Sequence, residues 1–214
     1  MYRVDRNNFY DEQKKATVYT PDDLSLFLFK LLRPVFDKDS ISIFDPCVGK
    51  GSLLAPWKND GFECIGTDIE NQGFPRTRVA NFLETKRADL KTKKRIGLVL
   101  MNPPFNIDAK TKQFIKENYS GRPLLPEVWL QKTIELFGTD IPIVMFTPYG
   151  FRLNQGSESK RLTKFMNGTY PPITSIVSLP KDVFPGVLFH SEVLMFNIQG
   201  VPPHQFYKSG LGAK

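Results

Sequence analysis

The residues Asn102-Pro103-Pro104-Phe105 carry the sharpest chemistry in the sequence. A carboxamide oxygen and a neighbouring proline carbonyl can together accept both hydrogens of an exocyclic amine, and an aromatic face beside them can hold the planar ring that bears it. Consecutive prolines fix φ, remove backbone N–H donors and push the residue before each toward extended backbone, so these acceptors would sit on a stiff chain. The pattern describes a pocket for an amino group on a flat heterocycle. A strand that merely ends in a Pro-Pro turn is the competing explanation of the same residues.

The stretches upstream bear on that choice. Leu98 to Met101 is an apolar run, read as a buried parallel strand that stops at Asn102. Ser40 to Phe44 is another, and it runs into Asp45-Pro46-Cys47-Val48-Gly49-Lys50-Gly51-Ser52-Leu53-Leu54. A strand, a glycine turn and a short helix open a nucleotide-binding βα unit, where missing side chains let a ligand approach the backbone. The spacing matches neither the Walker phosphate loop nor the complete dinucleotide fingerprint. Phe62 to Ile69 reads as the next strand and closes on Asp68, an acid placed to take ribose hydroxyls, or simply to cap the following turn. Arg76 to Leu83 reads as a third short strand, with Asn81 and Phe82 at its end able to hydrogen-bond and stack on an adenine edge.

The elements that must position these residues follow the same alternation. Thr20 is a suitable N-cap and Pro21 suits a first helical turn, which predicts a helix from Pro21 to Leu32. After Phe105, residues 106 to 122 read as a long polar loop beside the site, with Lys110, Lys112 and Lys116 and a helical hint at Phe114-Ile115. Pro126 to Phe137 predicts a helix, Ile141 to Phe146 a strand and Ser157 to Met166 a helix. Ile173 to Leu179 and Glu192 to Ile198 predict a terminal strand pair on a mostly parallel sheet. Residues 1–16 show no period and read as an N-terminal arm, 17–199 as one α/β domain, and 200–214 as a loosely held tail.

Composition narrows the class of protein. A chain of 214 residues with 41% hydrophobic content can bury one sizeable core, and a net charge of +7 favours a polyanion such as nucleic acid as partner. The basic run Lys86 to Arg95 is either a solvated face or a contact for phosphate backbone. Two cysteines, Cys47 and Cys64, and no apolar leader or long apolar span point to a soluble protein of a reducing compartment, and two isolated histidines argue against a metal site.

With these residues in place, the sequence resembles S-adenosylmethionine-dependent N6-adenine DNA methyltransferases, and within them the methylating subunit of type I restriction-modification systems. The motifs that carry the resemblance are Tyr19-Thr20-Pro21, the stretch Asp45 to Leu54, Gly66-Thr67-Asp68-Ile69-Glu70, Asn102-Pro103-Pro104-Phe105, and Val177-Ser178-Leu179-Pro180-Lys181-Asp182-Val183-Phe184. It spans about Tyr19 to Ile198. It implies a Rossmann-like class I methyltransferase fold: a mostly parallel seven-stranded sheet with an antiparallel terminal pair and helices on both faces.

The resemblance also assigns roles. S-adenosylmethionine is the implied cofactor, with Tyr19, Thr20 and Pro21 near its methionine part and Asp45, Pro46, Gly49, Gly51 and Ser52 along its amino-acid and ribose portion. Asp68 would take the ribose hydroxyls and Ile69, Asn81 and Phe82 the adenine, although the family usually has Asp where Asn81 stands. Asn102, Pro103, Pro104 and Phe105 would act on the target amine of a flipped base, by direct transfer without a covalent enzyme intermediate. The implied partners are DNA and a separate specificity subunit, in a bacterial or phage-infected cytoplasm. Three alternatives stay open: an adenine methyltransferase of RNA, a protein glutamine methyltransferase, which carries a related Asn-Pro-Pro-Tyr turn, and a binding subunit active only with a partner.

Overall fold

The middle strand, β4 (Arg95–Met101), is buried from its second residue onward. A strand covered on both faces needs apolar side chains at alternate and intervening positions. Leu98 and Leu100 accordingly join one core, while Ile96, Val99 and Met101 join the other. The computed structural model describes residues 19–104, 107–120, 123–154, 160–184 and 190–208. The other strands are β1 (Ile41–Asp45), β2 (Glu63–Asp68), β3 (Thr77–Val79), β5 (Ile143–Pro148), β6 (Ile173–Ser178), β7 (Ser191–Phe196) and β8 (His204–Phe206). They form one eight-stranded sheet in the order β3-β2-β1-β4-β5-β7-β6-β8.

The pairs β3·β2, β2·β1, β1·β4 and β4·β5 are parallel, and β7 runs antiparallel between β5 and β6. This is the class I methyltransferase architecture expected from the resemblance. The chain progresses outward in one direction through β1, β2 and β3 and in the other through β4 and β5. The crevice beyond the carboxyl ends of β1 and β4 is therefore the switch point at which such sheets bind ligands.

Helices cover both faces. In α1 (Asp22–Leu32), Leu24, Leu28 and Leu32 recur at intervals of a helical turn and pack with Trp57 of α2 (Ala55–Asn59) on one side of the sheet. In α4 (Leu125–Phe137), Val128, Trp129 and Leu130 pack against Phe44 and Met101 on the other. Each fully buried side chain of this size contributes about 1.5–3 kcal/mol.

The structure differs from the sequence reading in several places. The first helix begins at Asp22, and Thr20 does not cap it; Pro21 occupies the cap position without a side-chain bond. The predicted loop of residues 106–122 contains a helix, α3 (Ala109–Asn118), started by Asp108, whose carboxylate accepts the Thr111 N–H at 2.8 Å. The Asx cap is visible in the sequence, but the polarity of the segment masks the helical period behind it. The third strand is three residues long and ends before Asn81. The sheet has eight strands rather than seven, because residues 204–206 pair in parallel with β6. Residues 200–208 are thus held, with buried Tyr207 donating its hydroxyl to Asp23 and meeting Phe27 edge-on at 5.3 Å. A strand this short leaves no periodic signal. The proposed arm, residues 1–16, lies outside the described residues, as do 209–214.

The end of the basic run, Lys91 to Arg95, sits at the amino end of the strands, far from the crevice. Arg95 opens β4 and Asn102 follows its end, so the two are separated by about 20 Å of strand. There the Lys93 and Lys94 N–H groups and Arg76 all bond to Glu63, and Lys94 Nζ donates to the Lys38 carbonyl.

Candidate active site

A cavity of about 530 Å³ opens at the switch point. Its walls come from the carboxyl ends of β1, β2 and β4, from the residues before α1, and from α3 and α4. It brings together Tyr19, Thr20, Asp45, Pro46, Gly49, Ser52, Asp68, Ile69, Asn81, Phe82, Asn102, Pro103 and Pro104. Two expected residues do not line it. Pro21 serves α1 through its carbonyl, which accepts the Ser25 N–H at 3.0 Å. Gly51 has φ +86°, and a Cβ there would lie 2.0 Å from the Phe74 ring, so glycine is required for packing behind the turn. Phe105 lies outside the described residues.

The glycine turn and the second strand are locked together. The Gly49 N–H donates to one carboxylate oxygen of Asp68 at 2.7 Å, and the Glu70 N–H donates to the other at 3.1 Å. Asp68 therefore caps the turn after β2 and borders the cavity at once. Behind it, Gly66 lets Val48 approach; a Cβ there would lie 2.6 Å from Val48 Cβ.

Asp45 is 1% exposed, and its Oδ1 accepts the Cys47 N–H at 2.9 Å. Burial, reinforced by the charge of Asp68, outweighs that bond and pushes its carboxyl up to about 7. The Cys47 thiol is also pushed up by burial and by Asp45. It donates instead to the Asn102 carbonyl, at 3.2 Å.

The turn after β4 is held by its neighbours. Asn102 Nδ2 donates to Thr20 Oγ1 at 3.2 Å. Its Oδ1 is buried and has no hydrogen-bond partner among the described residues. Leaving a buried acceptor unmatched costs about 1–3 kcal/mol, which a donor arriving on that oxygen would remove.

At the other end of the cavity Ile69 is 59% exposed and Phe82 is buried, tilted against Phe44 and Trp129. Two apolar walls suit a flat ring. Asn81 caps the turn at Phe82–Glu84: its oxygen accepts the Leu83 N–H at 3.1 Å and its amide donates to Glu84 at 2.8 Å. The mouth is crossed by Tyr19, whose hydroxyl donates to Gln72 at 2.6 Å while Lys50 Nζ sits 4.5 Å from its ring centre.

Several lining residues escaped the sequence reading. Ile107, Asp108 and Thr111 enter through α3, and Trp129, 5% exposed, enters from α4 with its indole N–H unpartnered among the described residues. Trp129 stood in a helix read only for its apolar period, with no motif to single it out.

The fold and site define a class I methyltransferase architecture, and comparisons with known proteins sharpen this. Residues 2–60 match the family model described as N-6 DNA Methylase. A modification subunit of a candidate type I restriction enzyme from Vibrio vulnificus YJ016 superposes with a TM-score of 0.65 at 18% identity, over 93% of this chain and 49% of that one. The methyltransferase subunit of a type I restriction-modification system from Streptococcus thermophilus gives 0.60 at 18% identity, over 91% and 48%. A candidate class I S-adenosylmethionine-dependent methyltransferase from Listeria monocytogenes gives 0.58 at 15%, over 87% and 64%. The chain spans about half the length of the two modification subunits. No curated protein matches it. The likeness to restriction-modification methyltransferases read from the motifs is borne out.

Proposed function

We propose that this chain transfers a methyl group from S-adenosylmethionine to the exocyclic N6 amine of adenine in DNA, acting on a base swung out of the duplex. The observation that carries this reading is one continuous cavity that runs from Asp68 and the Gly49 bend to the Asn102 turn. A donor site and an amine site must share one space for direct transfer, and a single cavity bordered by Gly49, Asp68 and Asn102 supports that reading.

The residues present fit the cofactor. Asp68 stands where ribose hydroxyls would donate, and Ile69 and Phe82 form apolar walls for an adenine, with the Asn81 amide beside them. Asp45, Pro46, Gly49 and Ser52 border the space for the ribose and amino-acid portion, with Tyr19 and Thr20 at its methionine end. Pro21 and Gly51 act through backbone shape rather than contact. When bound, the cofactor supplies a methyl group on a positively charged sulfur.

The chain's own residues supply orientation and charge compensation. An adenine amine is a poor nucleophile because its lone pair is delocalised into the ring. Bonds donated by the amine to Asn102 Oδ1 and the Pro103 carbonyl favour a pyramidal nitrogen and offset positive charge as it develops. Pro103 and Pro104 keep those acceptors from following the nitrogen as it moves. Phe105 would hold the purine by stacking. No general base is required, since the proton can leave after transfer.

The net charge of +7 and the exposed Lys110, Lys112 and Lys116 of α3, the helix whose first turn lines the cavity, suit a nucleic-acid substrate. The likeness to modification subunits makes a separate specificity subunit the partner to test. Incubating the chain with labelled cofactor and unmethylated duplex DNA or RNA tests the reading. The expected product is N6-methyladenine in DNA; label on RNA alone, or on a base other than adenine, would overturn it.

A further inference from the structure

We infer that Thr20 and Cys47 are positioning residues for Asn102, a clamp that orients the side-chain amide and pins the backbone of the Asn-Pro-Pro turn. The inference rests on the function proposed above and names the residues that make its amine acceptor competent. Thr20 is otherwise expected only as a cofactor contact, and Cys47 carries no expected role at all.

An amide has a donor end and an acceptor end, and only the acceptor end can receive an amine hydrogen. The donor end is committed: Asn102 Nδ2 bonds Thr20 Oγ1 at 3.2 Å, across 82 residues of chain. The acceptor end is the one without a partner among the described residues. The main chain of the same residue is held separately, by the Cys47 thiol on its carbonyl at 3.2 Å. Thr20 is itself buried, so its hydroxyl has little freedom to seek another partner.

Both holders belong to the cofactor side. Thr20 precedes α1 and Cys47 lies in the glycine turn, and each borders the same cavity as Asn102. The clamp therefore ties the orientation of the amine acceptor to the walls around the donor. A hydroxyl that served only the cofactor would face that space without bonding the catalytic amide.

The test separates orientation from cofactor binding. In nitrogen-labelled protein, the Asn102 side-chain amide signal is identified by its loss in Asn102→Asp. It is expected at a hydrogen-bonded position in the wild type, shifted toward a free amide in Thr20→Val, and restored in Thr20→Ser. In methyl transfer, Thr20→Val is expected to lower kcat about five- to tenfold, the loss of one neutral hydrogen bond, with KM for DNA within about twofold. Thr20→Ser should recover most of that loss, and Cys47→Ala should lower kcat in the same way, with recovery in Cys47→Ser. An amide signal unmoved by Thr20→Val would overturn the clamp, as would a Thr20→Ser enzyme as slow as Thr20→Val. Should the wild type bind S-adenosylhomocysteine but methylate neither nucleic acid, the proposed function falls and the amide signal alone decides the clamp.

Discussion

Two acids at opposite ends of the parallel strands, Glu63 and Asp45, are treated in opposite ways. At the amino end, Glu63 opens β2 and its carboxylate accepts from Ser42 Oγ at 2.5 Å, Arg76 at 2.6 Å and the Lys93 and Lys94 N–H groups at 3.1 and 3.2 Å. Burial alone would raise its carboxyl, but these donors prevail and hold it down to about 2. At the carboxyl end, Asp45 closes β1 with the Cys47 N–H as its backbone donor, and burial pushes it up to about 7. The contrast extends beyond the acids, since Asn102 Oδ1, Trp129 Nε1 and Thr147 Oγ1 are left unmatched near the carboxyl ends. Of the four unmatched atoms among the described residues, Asn102 Oδ1 and Trp129 Nε1 belong to residues that line the cavity, where a ligand could complete them.

The largest expected effect falls at the unsatisfied end. Asn102→Ala should lower methyl transfer about 10²–10³-fold, as measured by single-turnover rates, because it removes an acceptor aligned with developing charge. Its melting temperature should stay close to that of the wild type, because the residue holds no partner whose loss exposes a charge. At the satisfied end the pattern inverts. Glu63→Gln should cost about 2 kcal/mol and lower the melting temperature by about 4–8 °C, read by calorimetry, while S-adenosylhomocysteine affinity is unchanged.

Nucleic-acid affinity offers a finer contrast between the same ends. Replacing Lys110, Lys112 and Lys116 with Ala should weaken DNA binding and reduce its salt slope by up to about 3, whereas replacing Lys91, Lys93 and Lys94 should leave both within error. The second set lies at the amino end, engaged with the region around Glu63. An equal loss from the two sets would erase the distinction.

The same two acids also set the pH dependence of stability. The folded state holds the Asp45 proton more tightly than the unfolded chain, so stability should decline as pH rises from about 4 to about 7, then level off. Glu63 works the other way: its contribution is complete above its ordinary value near 4.5 and disappears as pH falls toward 2. Asp45→Asn should flatten the upper limb and Glu63→Gln the lower one, each followed by thermal denaturation across pH.

Much of this site was legible because its residues end strands. Asp45, Asp68 and Asn102 each follow an apolar run, and in a parallel sheet those positions converge without further information. What was not legible comes from elements that cross the convergence. Trp129 reaches the cavity from α4, and Asp108 and Thr111 reach it from a helix whose polar surface conceals its period. Thr20 looked like a helix cap from its neighbours alone, yet its hydroxyl serves a residue far away in sequence, a competition that only tertiary contact decides. The eighth strand follows the same logic: three residues between turns carry no pattern, and buried Tyr207 is what fixes them.

The carboxyl end is proposed to join a donor site to an amine acceptor, and paired measurements on one variant test this most directly. S-adenosylhomocysteine affinity and single-turnover methylation of duplex adenine are to be measured together for the wild type and Asn102→Ala. Unchanged affinity with a rate reduced at least about 100-fold is the expected result. A rate that survives the substitution, or an affinity that collapses with it, would contradict the account.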